Sequence, residues 1–205
     1  MTLMKKNALV VALAALGGVA YAGADYVSAS ANPYSWEVAA VYNHALTDID
    51  ETRNTPSVDT YGIDVTGIYS FRENQKFTLR LGYATGEQAG FNVTNLALMP
   101  GYRYEKPIND KLVVFAGAGL GLGFSMLDTP TLHRQHYAVS DKDDMLNIVY
   151  NVEAGARYAI RRNLWVMGAV SFNGGTSPLH SSAAYGTATE EQMNIGVRLG
   201  IGGQF

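Results

Sequence analysis

Ile195-Gly-Val-Arg-Leu-Gly-Ile-Gly-Gly-Gln-Phe205 ends the sequence, and its alternation decides the fold. Successive side chains of an extended strand point to opposite faces. Ile195, Val197, Leu199, Ile201 and Phe205 therefore share one face, and Gly196, Arg198, Gly200, Gly202 and Gln204 the other. An edge strand of a soluble sandwich also alternates, but it gives no reason for a free aromatic end. A greasy face opposite an Arg/Gly/Gln face suits a barrel wall with lipid outside and polar filling inside.

The opposite end of the sequence agrees. Lys5 and Lys6 form a short basic start, and Ala8–Ala20 is an apolar run too short to cross a bilayer as a helix. Small-residue cleavage patterns follow, either Ala20-Tyr-Ala22 before Gly23 or Ala22-Gly-Ala24 before Asp25. Residues 1–24 are thus read as a cleaved secretory signal peptide and 25–205 as one domain. Without cysteine there is neither a disulfide framework nor a lipid-modified N-terminus. The formal charge of −3 becomes −5 once Lys5 and Lys6 leave, and no basic patch points to nucleic acid. Beyond the leader no stretch approaches the roughly eighteen apolar residues of a membrane helix. An exported chain of this kind is either periplasmic or a closed barrel.

Seven further segments alternate, near 34–44, 60–71, 77–84, 94–105, 112–124, 147–160 and 164–173. Pro100 falls inside the fourth, where a bulge or weakened pairing is expected because proline lacks an N–H. The seventh is the hardest to phase, since Trp165 and Met167 share a face with Ser171 and Asn173. Together with the terminal strand they make eight, an even number, as single-chain bacterial barrels have. Connections near 45–58, 85–93, 125–146 and 174–190 read as long and polar, and those near 72–76, 106–111 and 161–163 as short. Short periplasmic turns and long extracellular loops alternate this way in outer-membrane barrels. The expectation is an all-β, eight-stranded antiparallel up-and-down transmembrane β-barrel with both mature termini in the periplasm.

Aromatic placement gives the same orientation. Tyr34, Trp36, Tyr69, Phe71, Phe77, Tyr102, Tyr104, Tyr158 and Phe205 fall at one set of strand ends on the outer face. Tyr42, Tyr61, Tyr83, Phe124, Tyr150 and Phe172 fall near the other. Two aromatic belts around an aliphatic band match the two interfaces of a membrane.

Leu96-Ala-Leu-Met-Pro-Gly-Tyr-Arg-Tyr104, Phe115-Ala-Gly-Ala-Gly-Leu-Gly-Leu-Gly-Phe124, Val152-Glu-Ala-Gly-Ala-Arg-Tyr158 and the terminal strand carry a family resemblance. The chain resembles the small eight-stranded bacterial outer-membrane β-barrels, of the OmpA transmembrane-domain and opacity-protein type. The resemblance spans nearly the whole mature chain. It implies an envelope protein whose partners are outer-membrane lipid and lipopolysaccharide, with periplasmic chaperones and the barrel-assembly machinery during biogenesis. It also marks Phe205 as part of the assembly signal. The family holds structural, adhesive and enzymatic members, so architecture follows from it more firmly than activity.

Chemistry-bearing residues sort by face. Glu37, Asp64, Glu105 and Glu153 point inward with Arg80, Arg103, Arg157 and Arg198. Four of each sign, every cation an Arg, suggest a lumen ion-pair network built on forked guanidinium geometry. An eight-stranded barrel is just wide enough for side chains to fill, so the network is expected to plug it. A narrow small-solute channel is the alternative. The Gly117, Gly119, Gly121 and Gly123 run is expected to make room for bulky lumen residues such as Trp165.

In the longest loop His133, Arg134, His136 and Tyr137 are the candidate surface contact for an extracellular ligand. With no third defined ligand on a rigid scaffold, the two histidines do not make a metal site, and no cofactor is expected. His180 and Ser182, with Glu190 or Glu191, set out the residue types of an acyl hydrolase. They lie in a Gly/Ser/Ala loop away from any rigid strand, so the reading is of a non-enzymatic protein, with a lipid A-modifying enzyme as the competing class.

Overall fold

The computed structural model describes residues 32–46, 59–88, 91–128, 142–176 and 191–205. The expected leader and its cleavage sites lie outside these residues. Eight strands follow one another without a helix among the described residues: β1 Tyr34–Ala45, β2 Thr60–Arg72, β3 Gln75–Gln88, β4 Phe91–Pro107, β5 Leu112–Asp128, β6 Lys142–Arg161, β7 Leu164–Thr176 and β8 Glu191–Gln204. Each pairs antiparallel with its sequence neighbour, and β8 pairs with β1 to close the barrel. Closure leaves no edge strand unpaired, the condition a sheet must meet in hydrocarbon.

Val38 pairs with Val65 on one side and Ile201 on the other, all three facing outward. Glu37, one residue earlier, is fully buried between Thr66 and Gly202. Period-two alternation thus separates lipid and lumen along every strand. Large outward side chains such as Leu79, Leu120, Leu122 and Val170 are more than half exposed, the signature of a face meant for lipid. Aromatic rings gather where the turns are short: Tyr34 against Tyr69 at 5.3 Å, and Phe71 stacked on Phe77 at 4.4 Å with Tyr102 beyond.

Pro100 interrupts the ladder without bending it. On the β5 side the pairs run to Leu98↔Leu122 and resume at Gly101↔Gly119 in unchanged register, whereas Leu79↔Pro100 holds on the β3 side. The pairing is weakened and there is no bulge. Irregularities occur instead beside two tight turns, between Ser70 and Arg72 and between Ala159 and Arg161.

Several strands run past the ends expected of them. β3 reaches Gln88 and β4 begins at Phe91, so only residues 89–90 connect them and the long loop expected over 85–93 is a hairpin. Glu87↔Asn92 and Gly86↔Val93 continue the ladder. Apolar alternation stops where the membrane band stops, but backbone hydrogen bonding does not. The same effect shortens the third connection to 129–141 and the fourth to 177–190.

Near the short-turn end the lumen is packed with apolar groups. Ala39, Phe115, Trp165, Met167 and Ala169 form one buried cluster, with Ile68 and Val113 also buried. β7 therefore directs Trp165 and Met167 inward together with buried Ser171. Trp165 does not rest on the β5 glycines; a Cβ at Gly202 would lie 2.4 Å from its Nε1, so it is β8 that yields the space. Phe115 likewise needs Gly155, where a Cβ would fall 2.7 Å from its ring. Gly202→Val should overpack this layer and cost about 1–3 kcal/mol in urea unfolding. Ala118→Val, at an exposed position on the outer face, is the control.

Candidate functional site: the barrel lumen

The eight charged residues expected in the lumen meet in one connected array. Glu153, from the middle of β6, is the hub. Its Oε2 accepts from Arg80 Nη2 and, at 2.6 Å, from Arg198 Nη1, and its Oε1 accepts from Arg103 Nη2 at 3.1 Å. Arg103 Nη1 donates to both oxygens of Glu37, at 2.9 and 3.0 Å, and its guanidinium lies 4.3 Å over the Phe115 ring. Arg198 Nε is 2.9 Å from Asp64 Oδ2. Arg157 donates to Glu105 at 2.8 Å and stacks over Trp165, and Glu105 stands 4.0 Å from Arg103.

The backbone explains why these long side chains converge. Gly117 is the rung between Arg103 on β4 and Glu153 on β6. Asp64 stands opposite Gly82, and Glu37 opposite Gly202. A Cβ at Gly82 would fall 2.7 Å from Asp64 Oδ1, so that rung stays bare for the carboxylate. Of the inward glycines of β5, Gly117 is kept bare by the Tyr102 carbonyl oxygen, 2.9 Å from an added Cβ, and Gly123 by Val149, whose Cγ1 would be 2.7 Å away. Four carboxylates and four guanidinium groups balance, so the array is formally neutral. Buried ions of this kind fix geometry more than they add net stability.

Above the array, toward the long connections, the lumen opens into a cavity of about 140 Å³. Its floor includes Asp64, Arg80 and Arg198, and its walls carry Asn43, Asn147, Asn173, Asn194, Ser125 and Thr60. Arg80 Nη1 donates to Asn151 Oδ1 at 3.1 Å, Asn151 to Asn173 at 2.6 Å, and Asn173 to Asn194 at 2.8 Å. A side-chain chain of hydrogen bonds thus joins floor to wall. The sequence reading did not assemble this amide ring, although every member lies at an inward position near the same ends of the strands.

At the same end, outside the lumen, Asp59 ties β1 to the start of β2. Tyr42 donates its hydroxyl to Asp59 at 2.6 Å, His44 Nδ1 lies at 2.9 Å, and the Ala45 N–H donates at 3.3 Å. Partial burial pushes the Asp59 carboxyl up, but the Tyr42, Ala45 and His44 contacts outweigh it and hold the group below the ordinary carboxylate range. A depressed carboxylate pKa contributes stability above its unfolded value, lost as pH falls through the folded one. The latch should therefore loosen only in acid, below about pH 4. Protection of the Ala45 amide, its exchange relative to the free-peptide rate at the same pH, should fall there in the native protein and be low at every pH in Asp59→Ala.

No family model matches the chain, and no curated protein matches it in sequence. Solved structures match its architecture. Neisserial surface protein A aligns at a TM-score of 0.61 with 12% identity, over 84% of this chain and 97% of that one. This chain has the fold of the small outer-membrane β-barrels. Ail, the attachment invasion locus protein of Yersinia pestis, aligns at 0.53 with 11% identity over 85% and 99% of the two chains. The outer membrane protein OprG of Pseudomonas aeruginosa aligns at 0.51 with 11% identity over 85% and 97%. Near-complete coverage at such identities means a shared architecture of strand number and closure.

Sites expected in the loops are not placed. His133, Arg134, His136 and Tyr137 lie outside the described residues, as do His180, Ser182 and Glu190. Phe205 is described: its N–H reaches Tyr34 O at 3.5 Å, Asn32 Nδ2 donates to its carbonyl at 3.0 Å, and its ring is exposed on the outer face.

Proposed function

We propose that this protein is a non-enzymatic resident of the bacterial outer membrane, with a structural or surface-interaction role. One observation carries the reading: an apolar, lipid-matched exterior encloses a lumen filled at one end by Phe115, Trp165 and Met167 and crossed by a neutral ion-pair array. Such a barrel is a rigid scaffold, and recognition on rigid scaffolds concentrates in loops. Both termini and the short turns face the periplasm, as short turns do in this fold. In this reading the connections from β1 to β2, β5 to β6 and β7 to β8 are extracellular, and His133, Arg134, His136 and Tyr137 are the contact residues for an extracellular partner. The exterior meets lipid and lipopolysaccharide, and Phe205 belongs to the signal read by the assembly machinery.

The test combines location with loss of function. The native protein should fractionate with outer membranes and migrate differently on gels before and after boiling. Replacing 129–141 by a short Gly/Ser turn should keep that migration and abolish adhesion or detergent resistance conferred by the wild type. Recovery in the soluble periplasm would overturn the location. A lipid A mass spectrum altered by His180→Ala or Ser182→Ala would replace this reading with an enzymatic one. A discrete conductance in planar bilayers would favour a channel.

A further inference from the structure

We infer that the open half of the lumen is a binding site for one small neutral polyhydroxylated solute. This inference stands apart from the surface role proposed above, because it concerns the lumen wall and needs neither loop nor orientation.

Charge comes first. The cavity floor carries Arg80, Arg198 and Asp64, but these are committed to one another and to Glu153. The array is formally neutral, so the floor gives no strong preference for an anion or a cation. A solute held there is neutral.

Wall chemistry comes second. Asn43 donates to Thr60 Oγ1 at 3.2 Å, and Asn147 donates to Ser125 Oγ at 2.8 Å. Asn147 is 7% exposed, and Asn95 Oδ1 is buried without a hydrogen-bond partner. The wall therefore has hydrogen-bonding capacity the protein does not consume, and buried polar groups of this kind are normally satisfied by something. Amides offer donors and acceptors side by side, which suits hydroxyls, since each hydroxyl both donates and accepts. Val41, Val149 and Met99 line the same cavity and supply an apolar surface for C–H groups.

Size and shape come third. About 140 Å³ is many times the roughly 10–15 Å³ that holds one water, so the cavity admits a small organic solute. Gly82, Gly123, Ala84 and Ala97 keep the space open. Beneath it the ion-pair array and the Trp165 layer block passage, so the site is a dead end that binds without transporting. The Arg80–Asn151–Asn173–Asn194 chain couples occupancy to the hub, so a bound solute is felt at Arg80.

The experiment uses the full mature chain in lipid nanodiscs, observing side-chain amide resonances while glucose is titrated in. The expected result is a saturable shift of the Asn147, Asn173 and Asn194 amides with a midpoint in the millimolar range. Asn147→Leu, and independently Ala97→Leu, should weaken it at least tenfold, equivalent to about 1.4 kcal/mol. Heat-modifiable migration establishes that each variant is folded, and two variants guard against one that is not. Linear shifts without saturation would overturn the proposal and leave a water-filled cavity. Saturation by glycine or inorganic phosphate but not glucose would overturn the assignment to a neutral polyol. Equal response in wild type and both folded variants would overturn the location.

Discussion

Glu153→Gln is expected to destabilise the barrel by about 3–5 kcal/mol, the usual effect of removing one partner from a buried ion pair. Glu153 is 4% exposed and receives three guanidinium groups, from Arg80, Arg103 and Arg198. Gln keeps the shape but removes the charge, so the lumen is left with one uncompensated cation and three weakened charge-assisted bonds. Arg103 retains Glu37, and Arg198 retains Asp64, which keeps the loss below that of three independent pairs. Glu105→Gln is the internal comparison. It releases chiefly Arg157, whose side chain is 16% exposed and can rehydrate, so a smaller loss of about 1.5–3 kcal/mol is expected. Urea unfolding in lipid vesicles, followed by tryptophan fluorescence, reads both: Trp165 reports the lumen and Trp36 the outer belt. Near-equal effects of the two substitutions would show that Glu153 is not the hub.

The charged array was legible because ionised residues are conspicuous within alternating apolar strands. Glu37 sits among Trp36, Val38 and Ala39, and Arg198 between Val197 and Leu199, so face assignment followed from parity alone. Which acid meets which Arg was not legible, since it depends on register across non-adjacent strands: Glu37 and Arg103 come from β1 and β4. The Asn vestibule escaped because a neutral amide is equally at home in a strand end, a turn or a loop. Its signal was positional, with Asn43, Asn95, Asn147, Asn173 and Asn194 all inward and all toward the long connections. The strand ends at Gln88 and Phe91 escaped for a related reason. Alternating hydrophobicity records the thickness of the apolar band, and a ladder that continues into water carries polar residues on both faces.

The outward face makes the second prediction, because its sign depends on the surrounding medium. Val65 lies on β2 four residues from Tyr61 and four from Tyr69, midway between the aromatic belts, and it is 47% exposed. Its neighbours across the ladder are Val38 and Leu81, both outward. In water, Val65→Arg would remove an exposed apolar group and change stability by less than about 0.5 kcal/mol, as surface substitutions usually do. In a bilayer the same change places a guanidinium at the midplane, which costs about 2–4 kcal/mol. Tyr61→Arg, at the belt, should cost about 0–1 kcal/mol because the charge reaches head groups. The measurement is urea unfolding of both variants from lipid vesicles, with the difference between them as the readout. A midplane penalty exceeding the belt penalty by 2 kcal/mol or more places the band between those tyrosines. Equal values at the two depths would mean that hydrocarbon does not cover Val65, and the lipid-facing assignment of the whole β1–β3 surface would fall with it.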